Sequence, residues 1–434
     1  MNSADCRQYL SRLEFFGIKL GLENIRALLE SLGNPQKKYP GVLVAGTNGK
    51  GSVSAMLARV LTAHGYRVGL YTSPHLVRVE ERIRLNGRMI SPRAFCRHLT
   101  ALKELIDKLL SDGRLPSHPT YFEVLTALAL DYFERRKVDI AVLEVGMGGR
   151  FDATNAVDPV VSVITTISRD HEQHLGGSLG RIAFEKAGII RPGVPVVCAV
   201  KRGTACSTIK KRARAAGSPF IEVFAAGRAL SAKQTTRGYR FLYKSGDRSY
   251  AFSPALSGRH QGNNGAVAIA AAEILSKLWR PLDKEKIIDA VETTEWEGRL
   301  EVVCRKPLIL LDGAHNEEGA GSLRQYLRDK IRRPVILIFA AMKDKNIRKM
   351  AELLFPLAEK IVLTKVSLER AATPEEILAK VKRHRGRIIL EPDVGEALKI
   401  AFRESRGRVP IIIAGSLFLV GEIKKLRLGS NLHI

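Results

Sequence analysis

The chain has 434 residues, 45% of them hydrophobic and 26% charged, and 70 Lys plus Arg against 44 Asp plus Glu give a net charge of +26. That length exceeds one ordinary core and predicts two domains, and the composition is that of a globular protein. No apolar run approaches the roughly 18 residues of a membrane-spanning helix, and the opening "MNSADCRQYLSRLEFFG" lacks an apolar stretch behind a basic start, so no signal peptide and a cytoplasmic location are expected.

Short β-branched runs alternate with amphipathic segments. Strands are predicted at Gly41–Ala45, Val68–Tyr71, Asp139–Val145, Val160–Ile167 and Pro195–Val200, each near-continuously apolar, as in parallel strands covered on both faces. Val53, Met56, Leu57, Val60 and Leu61 recur at helical spacing after the first strand, and Gly65 closes that helix. The unit is βαβ and right-handed. Residues 220–255 read as β-hairpins, followed by a helix with Ala266, Ile269, Ala270 and Ile274 on one face. "TTEWEGRLEVV" is a polar passage, and the domain boundary is placed at Glu297, dividing 1–297 from 298–434. The βα rhythm then restarts with strands at Leu308–Leu311, Val335–Ala340, Lys360–Thr364, Arg387–Leu390 and Pro410–Ala414. The expected class is α/β: a P-loop-type nucleotide-binding domain with a mainly parallel sheet, then a smaller Rossmann-like domain.

The turn after the first strand, Gly46-Thr47-Asn48-Gly49-Lys50-Gly51-Ser52, lets the backbone approach phosphate oxygens at a helix N-terminus, with Lys50 adding a point charge. It departs from the common G-x-x-x-x-G-K-[ST] spelling: Val44 replaces the first glycine, and Gly51 stands where a metal-binding hydroxyl normally follows the lysine. Four further stretches close on strand ends, where ligands gather in open α/β sheets. "YTSPHL" offers Tyr71, Thr72, Ser73 and His75. "VLEVGMGGRFDATN" ends its strand on Glu144, a carboxylate that needs either a cation such as magnesium or an arginine such as Arg150. "SRDHEQHLG" presents His171 and His174, too few ligands for zinc, with His171 the better metal contact and His174 structural. "LILLDGAHNEEG" sets Asp312, His315 and Asn316 at the start of the second domain. Lys186, in the apolar "FEKAGIIRPG", must pair, lose its proton or be modified, an ion pair being the plain reading. Asn264 is either a helix N-cap or a base or phosphate contact, and Arg299 sits at the linker facing a cleft.

Five scattered cysteines without C-x-x-C suggest buried thiols. The basic runs Lys210–Arg214 and Lys380–Arg385 hold no stacking aromatics and read as solvated helix faces, not as a nucleic-acid surface.

Taken in order, "FGIKLGLENI", "VAGTNGKGS", "YTSPHL", "TYFE", "LEVGMGGRFDATN", "DHEQHLG", "EKAGII", "NNGAVA", "DGAHN" and "AGSLFLVGEI" resemble the folylpolyglutamate synthase/dihydrofolate synthase family of the Mur ligase superfamily, nearly end to end. The resemblance implies an ATP-dependent amide ligase that adds L-glutamate to dihydropteroate or a reduced folate through an acyl phosphate. It implies that Gly46 to Ser52, Asn264, Arg299 and Asp312 contact ATP, and that Ser73 and Glu144 hold Mg²⁺, with a second ion near His171. Lys50, a carbamylated Lys186 and His315 would act at the reaction centre, and Thr120, Tyr121, Phe122, Arg150, Phe151 and Asp152 would line the pteroate pocket. "GGRFDATN" looks more like the bifunctional bacterial enzymes than those that only add further glutamates. A monomer without membrane or nucleic-acid partners is expected. Glu297 replaces a frequent Pro, Gly262 and Gly265 are expected to loosen the asparagine motif, and "AMKDKN" ends on Asn346 where an acid is frequent, which puts domain closure and hinge behaviour in question. Two other readings are a Mur-type ligase acting on a cell-wall precursor and a basic P-loop ATPase that binds nucleic acid.

Overall fold

The computed structural model describes residues 1–14, 17, 21–225, 227–235, 238–381 and 387–429. Parts of "FGIKLGLENI" and of the basic run after Lys380 lie outside the described residues.

The first lobe is built on an eight-stranded sheet. Its strands are β1 (Gly41–Ala45), β2 (Val68–Tyr71), β3 (Ile83–Leu85), β4 (Arg88–Met89), β5 (Ile140–Glu144), β6 (Pro159–Ile164), β7 (Val196–Cys198) and β8 (Phe220–Glu222), in the order β4-β3-β2-β5-β1-β6-β7-β8. From β2 to β8 every pairing is parallel, while β3 and β4 fold back antiparallel beside β2. The apolar runs are continuous because both faces are covered. Val42 and Val44 face helices Lys50–Ala63 and His260–Leu278, whereas Leu43 and Ala45 face helices Pro92–Ser111 and Tyr121–Arg135.

A separate antiparallel sheet, β9 (Arg228–Gln234), β10 (Tyr239–Ser245) and β11 (Arg248–Phe252), lies on helix His260–Leu278. Hairpins therefore begin at Arg228; residues 220–222, expected among them, join the main sheet in parallel as β8. Gly262 and Gly265 are what let this sheet dock. A Cβ at Gly262 would stand 2.2 Å from the Phe241 ring, and one at Gly265 2.5 Å from Phe252. They tighten the region instead of loosening it.

The second lobe carries β12 (Glu301–Arg305), β13 (Leu308–Leu311), β14 (Val335–Phe339), β15 (Ala358–Leu363), β16 (Ile388–Leu390) and β17 (Ile411–Ala414), ordered β12-β13-β17-β14-β15-β16. Only β12 runs antiparallel. Alternate residues again fill two cores, Leu337 and Phe339 on one face and Ile336 and Ile338 on the other. Three strands have the predicted bounds, Ala358–Leu363 is longer, and the other six are one to three residues shorter, because the apolar pattern continues into buried strand-end turns. Asn346 accepts a hydrogen bond from the Lys349 N–H at 3.2 Å and caps helix Ile347–Leu354, a task Asn performs as well as Asp. At the crossing, Glu297 and Glu301 both bind Lys424 Nζ, at 2.5 and 2.8 Å, so an ion-pair cluster stands where a proline is frequent.

Candidate active site

The phosphate loop leaves the carboxyl end of β1 and is fixed by β6. Thr47 N–H donates to Thr166 O at 2.7 Å, Asn48 N–H to Thr166 Oγ1 at 3.1 Å, and Thr165 Oγ1 to Asn48 O at 2.6 Å. Gly49 caps helix Lys50–Ala63 with φ +83°, a left-handed conformation that favours glycine, and a Cβ there would meet Asn264 Oδ1 at 2.4 Å. Asn264 therefore lies against the loop. It is in the second turn of helix His260–Leu278, so the N-cap alternative fails, and its Nδ2 donates to Gln261 Oε1 at 2.8 Å.

Gly51 answers for its own missing hydroxyl. A Cβ at that position would come within 2.9 Å of Trp296 Nε1 and 3.4 Å of Glu144 Oε2. The linker indole and the strand-end carboxylate already occupy the space a Ser or Thr side chain would need. Parallel pairing of β2 with β5 brings Ser73 beside Glu144, and the Ser73 N–H donates to Glu144 Oε2 at 3.1 Å. Glu144 is buried and has no ion-pair partner among the described residues; burial pushes its carboxyl up, while Lys50, the Ser73 N–H and Arg299 pull it down. Arg150, the alternative partner, turns to Glu185 at 3.8 Å and is not among the residues lining the cleft.

Lys186 is buried under the same loop, its Nζ donating to Gly46 O at 2.9 Å. It makes no salt bridge among the described residues, so the ion-pair reading is set aside. Burial, aided by Lys50, pushes its ammonium down to about 7. The Gly148-Gly149 turn permits this packing: a Cβ at Gly149 would press on Lys186 O at 2.8 Å.

The second lobe closes the site. Asp312, at the end of β13, accepts from Leu300 N–H at 2.9 Å and Ala314 N–H at 3.0 Å. Burial pushes its carboxyl up and Arg299 pulls it down. Asn316 Nδ2 reaches Asn48 Oδ1 at 3.0 Å and Asp170 Oδ2 at 3.0 Å, and Asn48 Nδ2 returns a bond to Glu318 Oε2 at 2.6 Å. Asp170 also meets Lys345 Nζ at 2.5 Å and lies 3.5 Å from His315 Nε2. Both Asp170 and Lys345 side chains are almost wholly buried, at 6% and 7% exposure. Burial opposes ionisation of Asp170, yet His315, His171 and Lys345 together hold its carboxyl far below the usual range. His171 lies 3.5 Å from Lys345 Nζ and is pushed down to about 4, chiefly by burial. This interlobe network was not expected from sequence. Its only trace there is an acid and a lysine just past two strand ends, in "SRDH" and "KDKN".

One cleft of about 1220 Å³ is lined by Lys50, Ser73, Glu144, His171, Asn264, Arg299, Asp312 and His315, and by Thr120, Tyr121, Phe122, Phe151 and Asp152. Two of these side chains also have structural tasks. Thr120 forms a capping box with Glu123 at the start of helix Tyr121–Arg135, and Asp152 accepts from Met147 N–H at 2.9 Å and Thr154 Oγ1 at 2.6 Å. Among the described residues no three His, Cys, Asp or Glu side chains converge as a metal cluster, and no helix is long and apolar enough to cross a membrane.

A phosphate loop on one α/β lobe, closed by strand ends of a second, defines a nucleotide-dependent ligase of two lobes. Residues 44–272 match the Mur ligase middle domain, and residues 298–417 the Mur ligase glutamate ligase domain. The chain is 35% identical to the Bacillus subtilis dihydrofolate synthase/folylpolyglutamate synthase, over 97% of this chain and 98% of that protein. It superposes on Mycobacterium tuberculosis folylpolyglutamate synthase complexed with ADP at a TM-score of 0.92, with 29% identity, 99% of this chain and 100% of that one being covered. E. coli FolC in complex with DHPP and ADP superposes at 0.86, with 28% identity and 98% and 99% coverage. The chain belongs to the folylpolyglutamate synthase/dihydrofolate synthase family of Mur ligases, ATP-dependent enzymes that form an amide to glutamate.

Proposed function

We propose that this chain joins L-glutamate to dihydropteroate, and to the γ-carboxylate of reduced folates, in one cleft. The observation that carries the proposal is the convergence on the phosphate loop of Glu144, Lys186 and the Asp312–Asn316 turn, drawn from both lobes. The names of the Bacillus subtilis and E. coli relatives support both activities.

A carboxylate cannot expel oxide, so its oxygen must first take the γ-phosphoryl of ATP. The acceptor oxygen forms a bond to phosphorus, the β–γ bridge breaks and ADP leaves. The glutamate amine then attacks the acyl carbon, loses its proton, and phosphate departs. Negative charge accumulates on the transferring phosphoryl, so the site must present fixed positive charge and N–H donors there. The loop N–H groups and Lys50 supply these from one side, and Arg299 supplies charge from the other. Ser73 and Glu144 fit a magnesium ion, because the carboxylate is buried with one N–H donor and no salt bridge among the described residues; His171 would serve a second. Bound magnesium would neutralise phosphate charge and polarise the γ-phosphorus. Lys186 fits a carbamate: its amine is buried, makes no salt bridge among the described residues and is pushed down to about 7, so a neutral nucleophile is available to carbon dioxide. His315 lines the cleft, with Nδ1 donating to Gly313 O at 2.8 Å and Nε2 lying 3.5 Å from Asp170, and is placed to act at the reaction centre. Glu297 remains our boundary between lobes.

The test is phosphate release from ATP across a panel of dihydropteroate, reduced folates and cell-wall acceptors, each with and without glutamate. Release requiring both glutamate and a pteroate or folate is expected. Release driven by a cell-wall acceptor or by DNA would overturn the proposal.

A further inference from the structure

Arg82 is the cation that the chemistry above leaves unused. It ends the turn Val79–Arg82, immediately before the return strand β3, whose first residue Ile83 pairs with Tyr71 of β2, so Arg82 lies beside Thr72, one residue from Ser73. Its own carbonyl accepts the Thr72 N–H at 2.9 Å. The side chain is only 7% exposed, yet it lines the main cleft and forms no salt bridge among the described residues. The adjacent acid is not available to it: Glu81 accepts the backbone N–H groups of Leu76, Val77 and Arg78 at 2.7, 2.8 and 2.7 Å.

What Arg82 touches instead fixes its orientation. Nε donates to His75 Nδ1 at 3.0 Å, and the guanidinium carbon stands 5.3 Å from the centre of the Tyr121 ring. An arginine N–H can only donate, so His75 Nδ1 is the acceptor of this bond. One edge of the guanidinium is thereby used, and its two terminal nitrogens have no hydrogen-bond partner among the described residues. Arg82 lines the cleft, so an anion bound there can reach these nitrogens. The geometry of two free, coplanar N–H groups matches a carboxylate in a fork.

We propose that Arg82 binds the carboxylate of the acceptor substrate, the same group that is to be phosphorylated. Resting on the ligase reading above, this assigns the acceptor end of the cleft to the space between Tyr121 and Glu144. Two anions, carboxylate and triphosphate, must meet there, and Arg82 screens the first from the second. His75 and Tyr121 act as positioning residues that aim the fork.

The test compares dihydropteroate with its primary carboxamide, binding each to the full-length protein in the presence of ADP, for wild type, Arg82→Met and Arg82→Lys. Wild type should prefer the carboxylate by about 100-fold, Arg82→Met should shrink that ratio to about 3-fold or less, and Arg82→Lys should retain about tenfold as a point charge without the fork. Affinity for ADP and for the carboxamide should be unchanged in all three, which separates charge reading from misfolding. An undiminished ratio in Arg82→Met would overturn the assignment and leave the ligase reading standing. Loss of ADP or ATP-analogue affinity with the ratio intact would give Arg82 to the phosphates and also overturn it. Wild type that binds neither pteroate compound would remove the ligase reading and this proposal together.

Discussion

Replacing Lys186 with methionine should stabilise the protein while abolishing turnover, and the gain should depend on pH. Burial lowers the Lys186 ammonium from its ordinary 10.5 to about 7. Below pH 7 both folded and unfolded chains hold the proton, and the folded state bears the full cost of a buried charge. Between 7 and 10.5 the folded chain releases the proton while the unfolded chain keeps it, so stability rises with pH across that window. At about 1.4 kcal/mol per pH decade, the cost is about 4 kcal/mol at pH 7 and about 2 kcal/mol at pH 9. Lys186→Met removes this cost but leaves the Gly46 carbonyl without its donor, a loss of about 1 kcal/mol. The net gain should be about 3 kcal/mol at pH 7 and about 1 kcal/mol at pH 9, on the same accounting. Urea unfolding in carbon-dioxide-free buffer, followed by tryptophan fluorescence, measures it. Added bicarbonate should stabilise wild type alone. A methionine variant less stable than wild type at pH 7, or a gain that does not change with pH, would show that Lys186 is not held as a strained amine.

Glu144→Gln keeps the side chain's shape and removes a carboxylate that burial already disfavours, so it should fold at least as stably as wild type and lose about 100-fold or more in kcat; near-normal turnover would remove the metal assignment. Gly262→Ala drives a methyl group to 2.2 Å from Phe241 and should cost about 1–3 kcal/mol of stability by denaturant melting, with a silent substitution refuting the docking account. Lys345→Met strands the Asp170 carboxylate and should cost about 3 kcal/mol, much of it restored by adding Asp170→Asn; simple additivity in that double-mutant cycle would deny the coupling. Capture of the anionic substrates should weaken as salt rises, and kcat/KM flat between low and high ionic strength would leave the +26 charge without a role here.

Legibility in the sequence followed burial and locality. The parallel core strands could be read because residues such as Val42 to Ala45 are apolar on both faces, and the phosphate loop because its glycines, lysine and helix are contiguous. The return strands Ile83–Leu85 and Arg88–Met89 were missed: they are short, lie toward the sheet edge and carry arginines, so no apolar alternation marks them. That omission also concealed Arg82, whose place beside Ser73 exists only through antiparallel pairing. Glu144 could be found as an acid ending an apolar run, but its place with Trp296 around Gly51 joins three distant segments. Asp170 and Lys345 are 175 residues apart, and nothing local distinguishes a buried pair from two surface charges. Arg150 shows what a motif leaves open: it packs at the cleft's margin against Glu185 and Phe151, which line the cleft, and against Phe184.

The most direct measurement follows the oxygen atoms. Dihydropteroate labelled with oxygen-18 in its carboxylate is turned over with ATP and glutamate, and the released phosphate is analysed by mass spectrometry. Phosphate carrying one labelled oxygen for each amide formed is the predicted result. Unlabelled phosphate, released at the same rate as product, would mean that the acceptor carboxylate never takes the phosphoryl group.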